Sequence, residues 1–167
     1  FALGRLLTGT DGEPVLVSWS GSMFEYLMPL LVMPSYEGTL LHETYEGAVR
    51  LQIRYARRLG LPWGISESCY NQVDSHQVYQ YRAFGVPALG MKRGLADDLV
   101  IAPYAGAMAL MVAPKAAARN LERLVAHGAL GRFGLYEALD WTPSRLRTTS
   151  GEPFVLVRSW MTHHGGM

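Results

Sequence analysis

One cysteine, Cys69, is all that 167 residues offer. An internal disulfide and a cysteine-built metal cluster are therefore excluded. Charge is scarce too: acidic and basic residues make up 17% of the chain and balance to a formal +1. Bulk electrostatics thus points neither to nucleic acid nor to an acidic partner. There is no Gly-rich phosphate loop. Long apolar runs are missing as well. The longest uncharged stretch, LVIAPYAGAMALMVAP at 99–114, contains two prolines and falls short of the roughly 20 apolar residues a membrane span needs. It reads as a buried helix. No targeting signal is visible. The chain opens on Phe1 and closes on SWMTHHGGM, and both ends are expected to be cut from something longer.

What the chain does have is apolar and aromatic. Hydrophobic residues reach 49%, with four Trp and nine Tyr, enough for one modest domain with a core. Many aromatics stand next to Gly, Asn or a carboxylate, a placement that suits a sugar cleft as well as an ordinary core. GRLLTGTDGEPVLVSWSG predicts a hairpin turning at TDGEP. SGSMFEYLMPLLVM predicts a helix capped by Ser20 or Ser22 and kinked or shortened by Pro29. YEGTLLHETYEGAVRLQIRYARRLG predicts a longer helix, closed by Gly60 and blocked by Pro62. Residues 61–100 read as a long irregular region with short elements, a type of loop that is usually functional. Two helices, APYAGAMALMVA and PKAAARNLERLVAHG, follow, and FGLYEALDW reads as a short helix or loop. TTSGEPFVLVRSW repeats the opening G-E-P hairpin.

The acids give the sharper signal. WGISE, ending at Glu67, and FGLYE, ending at Glu137, share the pattern aromatic–Gly–aliphatic–x–Glu seventy residues apart. Helix pairs joined by acid-bearing loops at this spacing predict a mainly α fold: part of an α/α toroid (an α/α₆-barrel) with short β-hairpins. Two carboxylates facing a cleft are the apparatus for cleaving a glycosidic bond, one protonating the leaving oxygen, the other attacking or activating water. Weakly charged, aromatic surroundings favour keeping one acid protonated. The alternative is that each glutamate only ties its own loop together. Other residues are weaker candidates. Glu25 beside Tyr26 is either cleft-lining or on a solvated helix face. Trp63, Tyr70, Tyr79, Tyr81, Tyr104 and Tyr136 are stacking platforms or core. His163 and His164, adjacent and therefore divergent, make a poor metal pair. Asp97 and Asp98 are a cap or ion-pair partner before they are a calcium site. Cys69 has no base beside it to activate a thiol nucleophile. No metal and no cofactor are expected.

SWSGSMFEYLMPLLVMPSYEGTLL, PWGISESCYN, YQYRAFGVPALGMKRGLADDLVIAPYAGAMALM, GRFGLYEALDWTPSRL and VRSWMTHHGGM, taken in order, closely resemble the glucoamylase-like domain of bacterial cyclic β-1,2-glucan synthases. The resemblance covers nearly the whole chain. It implies that residues 1–167 are the C-terminal part of a glucoamylase-like α/α-barrel domain, truncated at both ends. It implies an enzyme that cyclises linear β-1,2-glucan by retaining transglycosylation, with Glu67 as acid/base and Glu137 as nucleophile. Glu25, Tyr26, Trp63, Tyr70, Asn71, Tyr81, Arg82, Tyr136, Asp140, His163 and His164 are the implied substrate-binding residues. The implied partners are the β-1,2-glucan chain and the glycosyltransferase and phosphorylase-like regions of one synthase polypeptide, with no nucleic acid. The implied location is the cytoplasmic face of the bacterial inner membrane, within a larger membrane protein. Plain hydrolysis of the same or a related β-glucan, and a non-catalytic glucan-binding module, are the competing readings.

Overall fold

The opening hairpin forms where its residues are described: β1 (Leu7–Thr8) pairs antiparallel with β2 (Val15–Leu16). The computed structural model of the chain describes residues 7–8, 15–146 and 151–159. Helix α1 (Met23–Leu27) starts at a Ser22 cap, whose hydroxyl accepts from Glu25 N while the Glu25 side chain answers the Ser22 backbone. This reciprocal capping box satisfies two orphan donors at once. Pro29 shortens the helix as expected, and a 3-10 turn, Met28–Leu31, takes over. The long helix α2 (Leu40–Arg58) begins at a Thr39 cap, a few residues later than its sequence suggests. It ends before Gly60, which adopts the left-handed φ of 71° that a C-cap glycine provides. Its buried side includes Tyr45, Ala48, Val49, Leu51 and Ala56.

Between α2 and the next helices the chain carries the short elements expected of it. β3 (Ser68–Val73) and β4 (Tyr79–Arg82) form an antiparallel hairpin. β5 (Val100–Ile101) leads into α3 (Pro103–Met108), and α4 (Pro114–Ala126) packs against α3. The uncharged run at 99–114 is thus split between a strand, a short helix and a 3-10 turn (Ala109–Met111). No helix among the described residues is long and apolar enough to cross a membrane.

The expectation of a mainly α toroid is overturned. The described residues are 39% helical and 20% strand, too much sheet for stacked helical hairpins. Helices α1 and α3 have only 5 and 6 residues, too short to serve as staves of a ring. In the stretch expected as a short helix or loop, FGLYEALDW, β7 (Gly134–Leu135) pairs with β6 (Leu130–Gly131), and β8 (Ala138–Asp140) follows. β8 is the middle strand of an antiparallel sheet ordered β5–β8–β9, where β9 is Val155–Val157. The second G-E-P segment therefore feeds a strand paired to β8, with Ala138 opposite Val157, in place of a copy of the opening hairpin. All three residues of β8 are buried, so alternation, the usual strand signal, is absent. The core runs from Met23 and Leu27 through Ile65, Phe84 and Leu89 to Ile101, Leu124 and Leu139.

Candidate active site

Glu67 immediately precedes β3 and Glu137 immediately precedes β8, two strands that pack together. Side chains tie the strands across the gap. Cys69 N donates to Glu137 Oε1 at 3.0 Å, and Asn71 N donates to Asp140 Oδ2 at 3.0 Å. Period-two alternation in β3 places Cys69 and Asn71 in step along one strand, so acids from β8 and the residue before it meet the same side of β3. This brings together the two glutamates that the sequence places seventy residues apart.

The two carboxylates have different neighbours. Glu67, half-buried, receives the Tyr81 hydroxyl at 3.0 Å and the Ser22 hydroxyl at 3.4 Å. Its backbone is fixed as well: the Tyr104 hydroxyl donates to the Glu67 carbonyl at 2.8 Å and lies 2.7 Å from Ser66 Oγ. Glu137 is only 6% exposed. Its own N–H donates to Ser159 O at 3.0 Å. Burial, then the charge of Glu67 and that of Glu137, push the Tyr81 hydroxyl well above its ordinary pKa. The Tyr104 hydroxyl is raised too, by burial first, and both glutamates add to it. Each of these tyrosines therefore feels both acids. The Cys69 thiol is pushed up to about 11 by burial and then by Glu137, so it stays protonated and unreactive near neutrality.

The remaining sequence candidates divide by what their polar atoms already do. Glu25 accepts from the Ser18 and Ser20 hydroxyls, both at 2.7 Å, and from Ser20 N; it holds together the loop that carries Ser22. Tyr26 is buried, its hydroxyl placed between Leu16 O, Leu89 O and Ser18 N. Trp63 is 6% exposed, and Asn120 clamps its backbone through both N–H and C=O. Asp140, fully buried, accepts from Asn71 N, Thr142 N and the Arg145 guanidinium. Its oxygens are occupied by the fold. Tyr70 packs edge-on to Phe84 at 5.4 Å and lies under Arg145, whose Cζ is 4.8 Å from its ring centre. Arg82 is exposed and pairs with Asp98 at 3.2 Å. Arg158 lies over Tyr136 at 5.5 Å. Asn71 Nδ2 donates to Arg145 O, and Asn71 also lines a cleft of about 580 Å³ with His127, Glu152, Phe154 and Arg158. That cleft borders β9, and neither Glu67 nor Glu137 is among the residues lining it. His163 and His164 lie outside the described residues. Among the described residues no three His, Cys, Asp or Glu side chains converge on a metal site.

Sequence reasoning missed two residues. Ser22 was legible as a cap, and its second contact, to Glu67, depends on a tertiary approach across 45 positions. Arg145 joins Asp98 and Asp140; the run ALDWTPSR held the clue, since a buried acid next to a turn needs a nearby cation.

A family described as "Putative glucoamylase" matches residues 3–167. The chain belongs to this glucoamylase-like family. It is also 50% identical, over all 167 of its residues, to a protein of Rhizobium meliloti (strain 1021) named cyclic beta-(1,2)-glucan synthase NdvB. The aligned region is 6% of that relative's length.

Proposed function

We propose that this chain is part of the catalytic portion of a cyclic β-1,2-glucan synthase, where it transglycosylates linear β-1,2-glucan into rings. One observation carries the reading: Glu67 and Glu137 converge on β3 in settings that differ chemically. Glu137 accepts a backbone N–H from Cys69. An amide can only donate, so the contact holds a carboxylate oxygen in a fixed position, as a nucleophile requires. The partners of Glu67 are hydroxyls, Ser22 and Tyr81. A hydroxyl both donates and accepts, so these partners serve Glu67 protonated or ionised, as an acid/base requires.

In the first step Glu137 attacks the anomeric carbon, the glycosidic C–O bond breaks, and Glu67 gives its proton to the departing oxygen. In the second, a hydroxyl at the chain's own non-reducing end attacks the same carbon, Glu67 takes that hydroxyl's proton, and the bond to Glu137 breaks. No water is consumed. The name of the half-identical relative supports the β-1,2 linkage. A longer polypeptide with glycosyltransferase and phosphorylase-like partners, held at the cytoplasmic face of the inner membrane, belongs to the same proposal.

The test is to incubate the full-length protein with linear β-1,2-glucan and follow products by mass spectrometry beside a reducing-end assay. Products one water lighter than the linear series, with no rise in reducing ends, are expected. A steady rise in reducing ends would make the protein a hydrolase. Glucan bound but unchanged would make it a binding module.

A further inference from the structure

Three tryptophans fall within the described residues, and they are not used alike. Trp63 and Trp141 are buried, 6% and 7% exposed, whereas Trp19 is 65% exposed. An indole is a large apolar surface that folding normally covers. Trp19 is not exposed because its loop is loose. Its carbonyl accepts from Met91 N at 3.1 Å and from Lys92 N at 2.9 Å. On one side Ser18 N donates to Leu89 O and Ser18 O accepts from Met91 N. On the other, Ser20 N donates to Glu25 and Gly21 O accepts from Val86 N. Glycines let the two backbones meet: a Cβ on Gly85 would overlap Ser20 O, and one on Gly90 would lie 2.7 Å from it. The loop is therefore clamped along its length while the indole stands in solvent. Among the described residues that indole makes no hydrogen bond or ring contact.

The same clamped loop reaches the candidate acid three residues later, where Ser22 donates to Glu67. Three residues span about 10 Å at most, so the Trp19 backbone lies within that distance of Ser22. Its neighbours Ser18 and Ser20 turn their hydroxyls onto the Glu25 carboxylate, which fixes the loop on either side of the indole. A flat, exposed indole complements the face of C–H groups that a pyranose ring offers.

We propose that Trp19 is the stacking platform of a glucose-binding subsite beside Glu67, held in advance by the serine–glycine loop. Because the backbone is already fixed, binding would order little beyond the sugar itself. The assignment of the sugar as a β-glucan unit rests on the proposed function; the platform rests on the geometry alone.

Titration calorimetry of the full-length protein with linear β-1,2-gluco-oligosaccharides, in a Glu67→Gln background that halts turnover, reads the subsite directly. Trp19→Ala is expected to weaken binding roughly tenfold, and Trp19→Phe to keep most of the affinity. With Glu67 intact, the loss from Trp19→Ala should fall in KM more than in kcat. An affinity within twofold of the parent for Trp19→Ala would overturn the subsite. If Trp19→Ala weakens binding while Glu67→Gln leaves turnover intact, the catalytic reading fails and the subsite stands. If the parent binds no β-1,2-glucan, both fail together.

Discussion

Glu137 Oε1 accepts from the backbone N–H of Cys69 at 3.0 Å across 68 positions of sequence. This bond joins β3 to the residue just before β8, so the side chain proposed as nucleophile also ties the fold together. The two roles separate by substitution. Glu137→Gln keeps a carbonyl oxygen able to accept, so the fold should hold near parental stability. Glu137→Ala leaves a half-buried N–H without its partner, which costs about 1–3 kcal/mol. Chemical denaturation of the pair should show that gap. Both variants should lose turnover of linear β-1,2-glucan. Turnover retained by Glu137→Gln would remove it as nucleophile.

Glu67 and Tyr81 make a second contrast, in function alone. In the proposed mechanism Glu67→Gln removes the proton that the leaving oxygen needs, and general acid–base groups contribute about 10²–10⁴-fold. Tyr81→Phe removes only one hydroxyl from an exposed hydrogen bond at 3.0 Å, a loss of about tenfold or less. Steady-state rates for both variants decide the matter. Equal losses would mean that Glu67 serves its loop, as the non-catalytic reading holds.

The pairing of the two acids was partly visible in WGISE and FGLYE, because a repeated local pattern survives whatever the surrounding fold. The helix boundaries at Ser22, Gly60, Pro114 and Gly128 were visible for the same reason: caps and breakers act within a few residues. The architecture was not. β8 is three buried residues flanked by β5 and β9, and such a strand shows no alternation to tell it from a helix turn. Strands of two or three residues take their stability from partners some 40 positions or fewer away, and a local reading does not see those partners. Side-chain direction was illegible for another reason: Asp140, Glu25 and Tyr26 bond their polar atoms to partners within the fold, and those partners are set by tertiary packing.

Arg145 is the member of this network whose loss should be felt most in stability. Burial alone would lower its pKa, but hydrogen bonds and charge from Asp140 and Asp98 outweigh that and raise it. Asp140 has no exposed surface, so removing the guanidinium strands a buried charge. Arg145→Ala should therefore destabilise by about 3–5 kcal/mol. Arg145→Lys should recover only part of this, since an ammonium cannot reproduce the fork that reaches both oxygens of Asp140. Thermal unfolding of the two variants orders them, and a lysine variant as stable as the parent would deny the fork its role.

Ser68, between Glu67 and Cys69, should behave in the opposite way. It is fully buried, and its Oγ has no hydrogen-bond partner among the described residues. A buried hydroxyl without a partner opposes folding, and replacing it by an apolar group of similar size relieves the cost. Ser68→Ala should therefore leave stability unchanged or raise it by up to about 1 kcal/mol. It sits at the first position of β3, opposite Arg82, and its backbone stays paired in the variant. Urea unfolding measures the difference. A loss of more than about 1 kcal/mol would mean that the hydroxyl is satisfied in solution, by an ordered water or by residues outside the described set, and that it helps hold Glu67 in place.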